Sequence, residues 1–110
     1  MAAPQRGDIV WLDFHPQAGH EQAGRKPAVI LSPRIYHQKT SLAIVCPITS
    51  TIKNYPFEVV LPDGLPLQGA IRVDQVRSLD RHARHLEPVG QVAEETMAEV
   101  MGKLASLLGL

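Results

Sequence analysis

At 110 residues and 12.1 kDa the chain has the size of a single domain, residues 1–110. With 45% hydrophobic and 20% charged residues it can bury a core, which excludes a disordered chain, and its one cysteine, Cys46, excludes an internal disulfide framework and suits a reducing cytoplasm. A formal net charge of zero excludes a uniformly basic coat, and no apolar run approaches the roughly 20 residues of a membrane span, so no membrane association is expected.

Asp8 to Phe14 is rich in strand formers and predicts a first strand. His15 to Gly24, with Pro16, Gly19 and Gly24, predicts a loop. Ala28–Leu31 is an unbroken apolar run, the pattern of a strand buried on both faces. Ser32-Pro33 starts a short helical turn through Tyr36 to Lys39. Leu42–Cys46 predicts a third strand, followed by a polar loop from Thr49 to Pro56. Phe57–Leu61, Gly69–Val73, Gln75–Leu79 and a short Leu86–Val92 complete the strands, with a turn cluster at Pro62 to Pro66.

The period then changes. Met97, Val100, Met101, Leu104, Leu107 and Leu108 occupy one face of a helix, with Glu94 and Glu95 near its start and Gly109 as its stop. The expected architecture is mainly β, five to seven short strands forming a small, strongly bent sheet or barrel, with a C-terminal helix packed against it.

The neutral sum conceals an uneven distribution. Gln22 to Phe57 carries Arg25, Lys26, Arg34, Lys39 and Lys53 and no acid, whereas Leu86 to Met101 carries Glu87, Glu94, Glu95 and Glu99 and no base. A basic hollow on a neutral protein binds a polyanion locally.

No nucleotide-binding glycine motif is present. His82 and His85 have no third ligand at zinc-like spacing, so neither a metal nor a cofactor is expected. Polar groups instead gather at strand ends: His20-Glu21 with Arg25-Lys26, then Thr49-Ser50-Thr51, then Arg72-Val-Asp-Gln75, where a strand period of two sets Arg72 and Asp74 on one face. Taken singly these are a loop histidine, a turn threonine and a surface ion pair. Together they fit metal-free RNA cleavage. That reaction needs a base for the 2′-hydroxyl, an acid for the leaving 5′-oxygen, and cations or donors around the phosphate.

Arg6-Gly-Asp-Ile-Val-Trp11, Gly19-His-Glu-Gln-Ala-Gly24, Lys26-Pro-Ala-Val-Ile-Leu-Ser-Pro33, Cys46-Pro-Ile-Thr-Ser50, Tyr55-Pro-Phe-Glu-Val59 and Arg72-Val-Asp-Gln-Val-Arg-Ser78 occur in the order that resembles the MazF/PemK (Kid, ChpB-like) toxin family. The resemblance runs from about residue 6 to the end. It implies an SH3-like barrel of the MazF/CcdB/Kid type, a homodimer, and the toxin of a type II toxin–antitoxin system. It also implies a sequence-selective, metal-independent endoribonuclease that cuts single-stranded messenger RNA to 2′,3′-cyclic phosphate and 5′-hydroxyl ends. The implied partner is a MazE-like antitoxin with an acidic C-terminal segment.

By the same resemblance Thr49 is a catalytic threonine. The family arginine before the strand-two proline falls on Lys26, with Arg25 beside it, so either cation serves. Asp74 matches a base and Arg72 a phosphate-stabilising cation; arginine, always protonated, is a poor proton donor. His20 is a supporting group that can act as acid. Glu21 and Gln22 match a loop motif that positions RNA, and Ser50, Lys53, Tyr55, Gln75 and Arg77 are further RNA-binding candidates, Tyr55 by stacking. A CcdB-like gyrase poison and a non-catalytic nucleic-acid or partner-binding barrel are the alternatives.

Overall fold

The computed structural model describes residues 3–14 and 24–110. Among the described residues seven strands and two helices follow one another: β1 (Asp8–Asp13), β2 (Arg25–Ile30), α1 (Arg34–Lys39), β3 (Leu42–Thr49), β4 (Glu58–Val60), β5 (Ala70–Arg72), β6 (Arg77–Asp80), β7 (Glu87–Gln91) and α2 (Glu94–Leu108). A single 3-10 turn, Val73–Gln75, separates β5 from β6.

All pairings are antiparallel, and the order is β4-β5-β3-β2-β1-β7, with β6 also on β3. One edge of β3 pairs with β2. Its other edge is shared: residues 42–45 pair with β6 and residues 48–49 with β5. The 3-10 turn is the step between those two partners, so Val73–Gln75 lies opposite the middle of β3.

The sheet is apolar on both faces. Ile9, Val29, Leu31, Cys46, Ile48, Ile71 and Val73 join Met97 and Val100 of α2 in one core. The alternate residues Val10, Leu12, Phe14, Ala28, Ile30, Ala43, Val45 and Leu79 form a second core. Burial on both faces is why β2 and β3 read as continuous apolar runs. Each fully buried aliphatic side chain contributes about 1.5–3 kcal/mol.

Helix α2 carries Glu94 and Glu95 in its first turn, where the helix dipole favours acids, and ends at Gly109 with φ 75°. It is too short and polar to cross a membrane, as is every helix of the described residues.

Three expectations need revision. The strands do not close by hydrogen bonding among the described residues, because β4 and β7 end an open path, so the sheet is open where the family resemblance implied a barrel. β3 runs on to Thr49 instead of stopping at Cys46. Asp74 and Gln75 belong to the 3-10 turn, not to a strand.

Candidate nucleic-acid interface

A groove of about 500 Å³ opens where β1, β2 and β3 meet the β5 end. It is lined by Trp11, Arg25, Lys26, Pro27, Pro47, Ile48, Thr49, Ser50, Leu67, Gln68, Arg72 and Gln75. A smaller depression of about 210 Å³ shares Lys26, Pro47 and Gln75 with it and adds Phe14 and Arg77. The two form one channel, and the shared residues mark its middle. Among the described residues it carries four cations, Arg25, Lys26, Arg72 and Arg77, and no carboxylate in its lining.

Strand register sets the cations. Lys26 stands opposite Leu12 on β1 and is exposed. Arg25 stands opposite Asp13, and its guanidinium reaches two carboxylates: Nη1 donates to Asp13 at 3.1 Å and Nη2 to Glu87 at 3.1 Å. Burial works against the charge of Arg25, but Glu87 and Asp13 outweigh it and raise its pKa. Asp13 is held below the ordinary carboxylate value by His85, 3.0 Å away, and by Arg25. Among the described residues Lys26 has no ion-pair partner.

Arg72 is buried, with 8% exposure. Its position opposite Glu58 on β4 brings Nε to 3.2 Å from the Glu58 carboxylate, while Nη2 donates to the Thr51 carbonyl at 2.8 Å. The ring of Tyr55 lies 5.4 Å from its guanidinium carbon, within cation–π range. Its ion pair is thus with Glu58, and the same-face pairing with Asp74 expected from an extended strand does not form. Asp74 is exposed in the 3-10 turn and accepts a 2.6 Å hydrogen bond from the Tyr55 hydroxyl. Burial, then the Asp74 carboxylate, keep that phenol protonated by raising its pKa.

Thr49 ends β3. Its Oγ1 accepts a hydrogen bond from the Thr51 N–H at 3.2 Å, so the hydroxyl proton is available to a ligand. Gly69 passes so close to Thr49 that a Cβ there would collide with the Thr49 carbonyl oxygen. Cys46 lies under the turn, fully buried; burial, with the Asp74 charge, pushes its thiol up to about 12, so it serves as core and not as a nucleophile.

The structure therefore brings Arg25, Lys26, Thr49, Ser50, Arg72 and Gln75 into one groove and Arg77 into its extension. Asp74 and Tyr55 stand beside Arg72 as a hydrogen-bonded pair outside the groove lining. Lys53 is exposed on the adjoining loop, its backbone N–H bonded to Glu58. His20, Glu21 and Gln22 lie outside the described residues. Glu58, Glu87, Asp13 and Trp11 were not evident from sequence. Their roles come from cross-strand register, and the acid in Tyr55-Pro-Phe-Glu58 is the one local sign.

The family described as PemK-like, MazF-like toxin of type II toxin-antitoxin system matches residues 5–108. The chain is 43% identical over 106 residues to the endoribonuclease toxin MazF of Escherichia coli K12, covering 96% of this chain and 95% of that one. It is 36% identical to the endoribonuclease PemK of Escherichia coli, covering 94% and 81%. The structure superposes on MazF in a MazE-MazF crystal structure from Deinococcus radiodurans with a TM-score of 0.92, 50% identity and 98% and 97% coverage.

Proposed function

The chain belongs to the PemK-like, MazF-like toxins of type II toxin–antitoxin systems, and from that premise we propose that its groove is where single-stranded RNA is bound and cut. The protein is the endoribonuclease toxin of its pair, and a MazE-like antitoxin with an acidic segment is its partner. The observation that carries the reading is the placement of Lys26, Thr49 and Arg72 around one groove with no carboxylate among the described lining residues. A phosphodiester enters such a surface by charge, and extended RNA follows its length toward Arg77.

RNA supplies the nucleophile. The 2′-oxygen attacks the adjacent phosphorus, the P–O5′ bond breaks, and a 2′,3′-cyclic phosphate and a 5′-hydroxyl leave. In this reading the Lys26 ammonium and the Arg72 guanidinium take up charge on the non-bridging oxygens, and the Thr49 hydroxyl donates to one of them. Asp74 takes the 2′-hydroxyl proton, and His20 gives one to the departing 5′-oxygen. No step calls on a metal.

Lys26 is assigned the role that the family gives to arginine. Both terminal nitrogens of Arg25 are engaged by Asp13 and Glu87, whereas the ammonium of Lys26 is exposed in both halves of the channel. Gln75 and Ser50 supply hydrogen bonds to sugar or base, and Lys53 and Tyr55 extend the contact along the loop. Two chains form the working homodimer, and the setting is the bacterial cytoplasm.

The test is incubation of purified protein, free of antitoxin, with a long single-stranded transcript in excess EDTA, followed by mapping of the fragment ends. Cyclic-phosphate and 5′-hydroxyl ends at a recurrent sequence support the reading. Intact RNA, with inhibition of gyrase instead, would establish the poison.

A further inference from the structure

Among the described residues Glu58 is the only buried carboxylate. A buried charge needs several partners. Glu58 has three: the Lys53 N–H, shared by Oε2 at 3.0 Å and Oε1 at 3.1 Å, the Asn54 N–H at 2.7 Å, and the Arg72 Nε at 3.2 Å. Asn54 adopts φ 59°, a left-handed turn that asparagine tolerates, and its N–H reaches the same carboxylate as that of Lys53. One side chain therefore fastens two things. It fixes the guanidinium of Arg72, and it fixes the path of the loop from Ser50 to Tyr55.

The rest of the cluster extends that control. With Nε on Glu58, Nη2 of Arg72 bonds the Thr51 carbonyl, and Nη1 has no partner among the described residues. Thr51 in turn donates its N–H to Thr49 Oγ1. Tyr55, at the far end of the loop, covers the guanidinium and donates to Asp74. Arg72 is thus one hydrogen bond from Glu58, Thr51 two and Thr49 three, and Tyr55 joins through its ring on Arg72. A buried ion pair is an inefficient way to stabilise a fold, since apolar residues of equal volume serve as well. It is an efficient way to hold a donor in one orientation before a ligand arrives.

We infer that Glu58 is a positioning residue for RNA cleavage, acting through Arg72, which it holds directly and by pinning the loop whose Thr51 carbonyl accepts from it, without touching RNA. This rests on the reading of Arg72 as a phosphate-binding group. Four proteins separate the two claims: wild type, Glu58→Gln, Arg72→Ala and the double variant. The cut site mapped on the transcript is placed in a short oligonucleotide with a single ribose, and kcat and KM are measured well below each melting temperature.

Glu58→Gln is expected to lower kcat/KM about a hundredfold, the scale of one mispositioned charge-stabilising donor, with kcat falling more than KM rises. In the Arg72→Ala background the same change is expected to cost less than about threefold, because residues that act as one unit are not additive. Glu58→Asp, which keeps the charge on a shorter arm, is expected to recover about tenfold over Glu58→Gln and to stay about tenfold below wild type, and it serves as the test if Glu58→Gln does not fold.

Losses that multiply independently in the double variant would overturn the inference and leave the Arg72 reading in place. Normal cleavage by folded Glu58→Gln, or by Glu58→Asp where only that variant folds, would do the same. Normal cleavage by Arg72→Ala would overturn both.

Discussion

Tyr55 and Asp74 are joined by a 2.6 Å hydrogen bond between phenol and carboxylate across nineteen residues of chain. The bond spans the loop after β3 and the 3-10 turn before β6. It gives an exposed acid a fixed position beside Arg72. Tyr55→Phe keeps the ring over Arg72 and deletes only the hydroxyl. The expected result is a loss of about tenfold in kcat with a change in folding stability of about 1 kcal/mol or less, the worth of one exposed hydrogen bond. Single-turnover cleavage and urea titration check the two halves.

Gly69 has φ 139° and approaches Thr49 across the β3–β5 ladder. Gly69→Ala meets both an unfavourable backbone conformation and the Thr49 carbonyl, a backbone group held in the β3–β5 pairing. A destabilisation of about 2–4 kcal/mol is expected. Cleavage by the folded fraction is expected to fall as well, because Thr49 shifts. Unchanged urea midpoint and activity together would show that β5 can move aside.

Several carboxylates link stability to acid. Burial tends to raise the pKa of Glu58, but the N–H groups of Lys53 and Asn54, with Arg72, outweigh it and hold it below its ordinary value. Asp80 is lowered by the N–H groups of Ala83 and His82, against some burial. Asp13 is lowered by His85 and Arg25. A carboxylate whose folded pKa is depressed contributes stability that is complete above its unfolded value, about 4, and is lost as pH falls through the folded value. Stability from these groups is therefore expected to be level between about pH 7 and pH 5 and to fall below about pH 4. Urea unfolding across that range checks it, and Asp80→Asn should flatten the acid slope.

Cys46 offers a check on the core beneath the turn. Its thiol is fully buried and pushed up to about 12, so a native sample should resist alkylation at pH 8 and react fully once unfolded. Rapid labelling of the native protein would mean that the β3–turn packing opens readily.

Much of this fold could be read from local pattern. The apolar runs at Ala28–Leu31 and Leu42–Cys46 are strands, and the face running from Met97 through Val100 lies against the core. β3 runs through Pro47 to Thr49 although proline lacks an N–H. Leu31 donates to the Ile44 carbonyl, which puts Pro47 out of phase with the β2 ladder. Its missing donor faces the other edge, in the gap between the partners β6 and β5.

The extended reading of Asp74 failed for a related reason. The alternation in Arg72-Val-Asp-Gln-Val-Arg-Ser78 is that of a strand, but the chain must step along β3 from one partner segment to the next, and three residues coil to do it. That step is a tertiary requirement with no local signature. Lys26, Thr49 and Arg72 were legible as strand-end polar groups. Glu58 was not, because its meaning depends on standing opposite Arg72.

The central claim is that Lys26, with Thr49 and Arg72, forms the phosphate site of an RNA-cutting groove, and the most direct measurement is the cleavage rate of Lys26 and Arg25 variants on the mapped oligonucleotide. Lys26→Ala is expected to lose about a hundredfold or more. Lys26→Arg should retain activity through a guanidinium suited to phosphate. Arg25→Ala should stay within about tenfold, since its charge is committed to Asp13 and Glu87. Wild-type cleavage by Lys26→Ala, with the loss appearing in Arg25→Ala instead, would contradict the account.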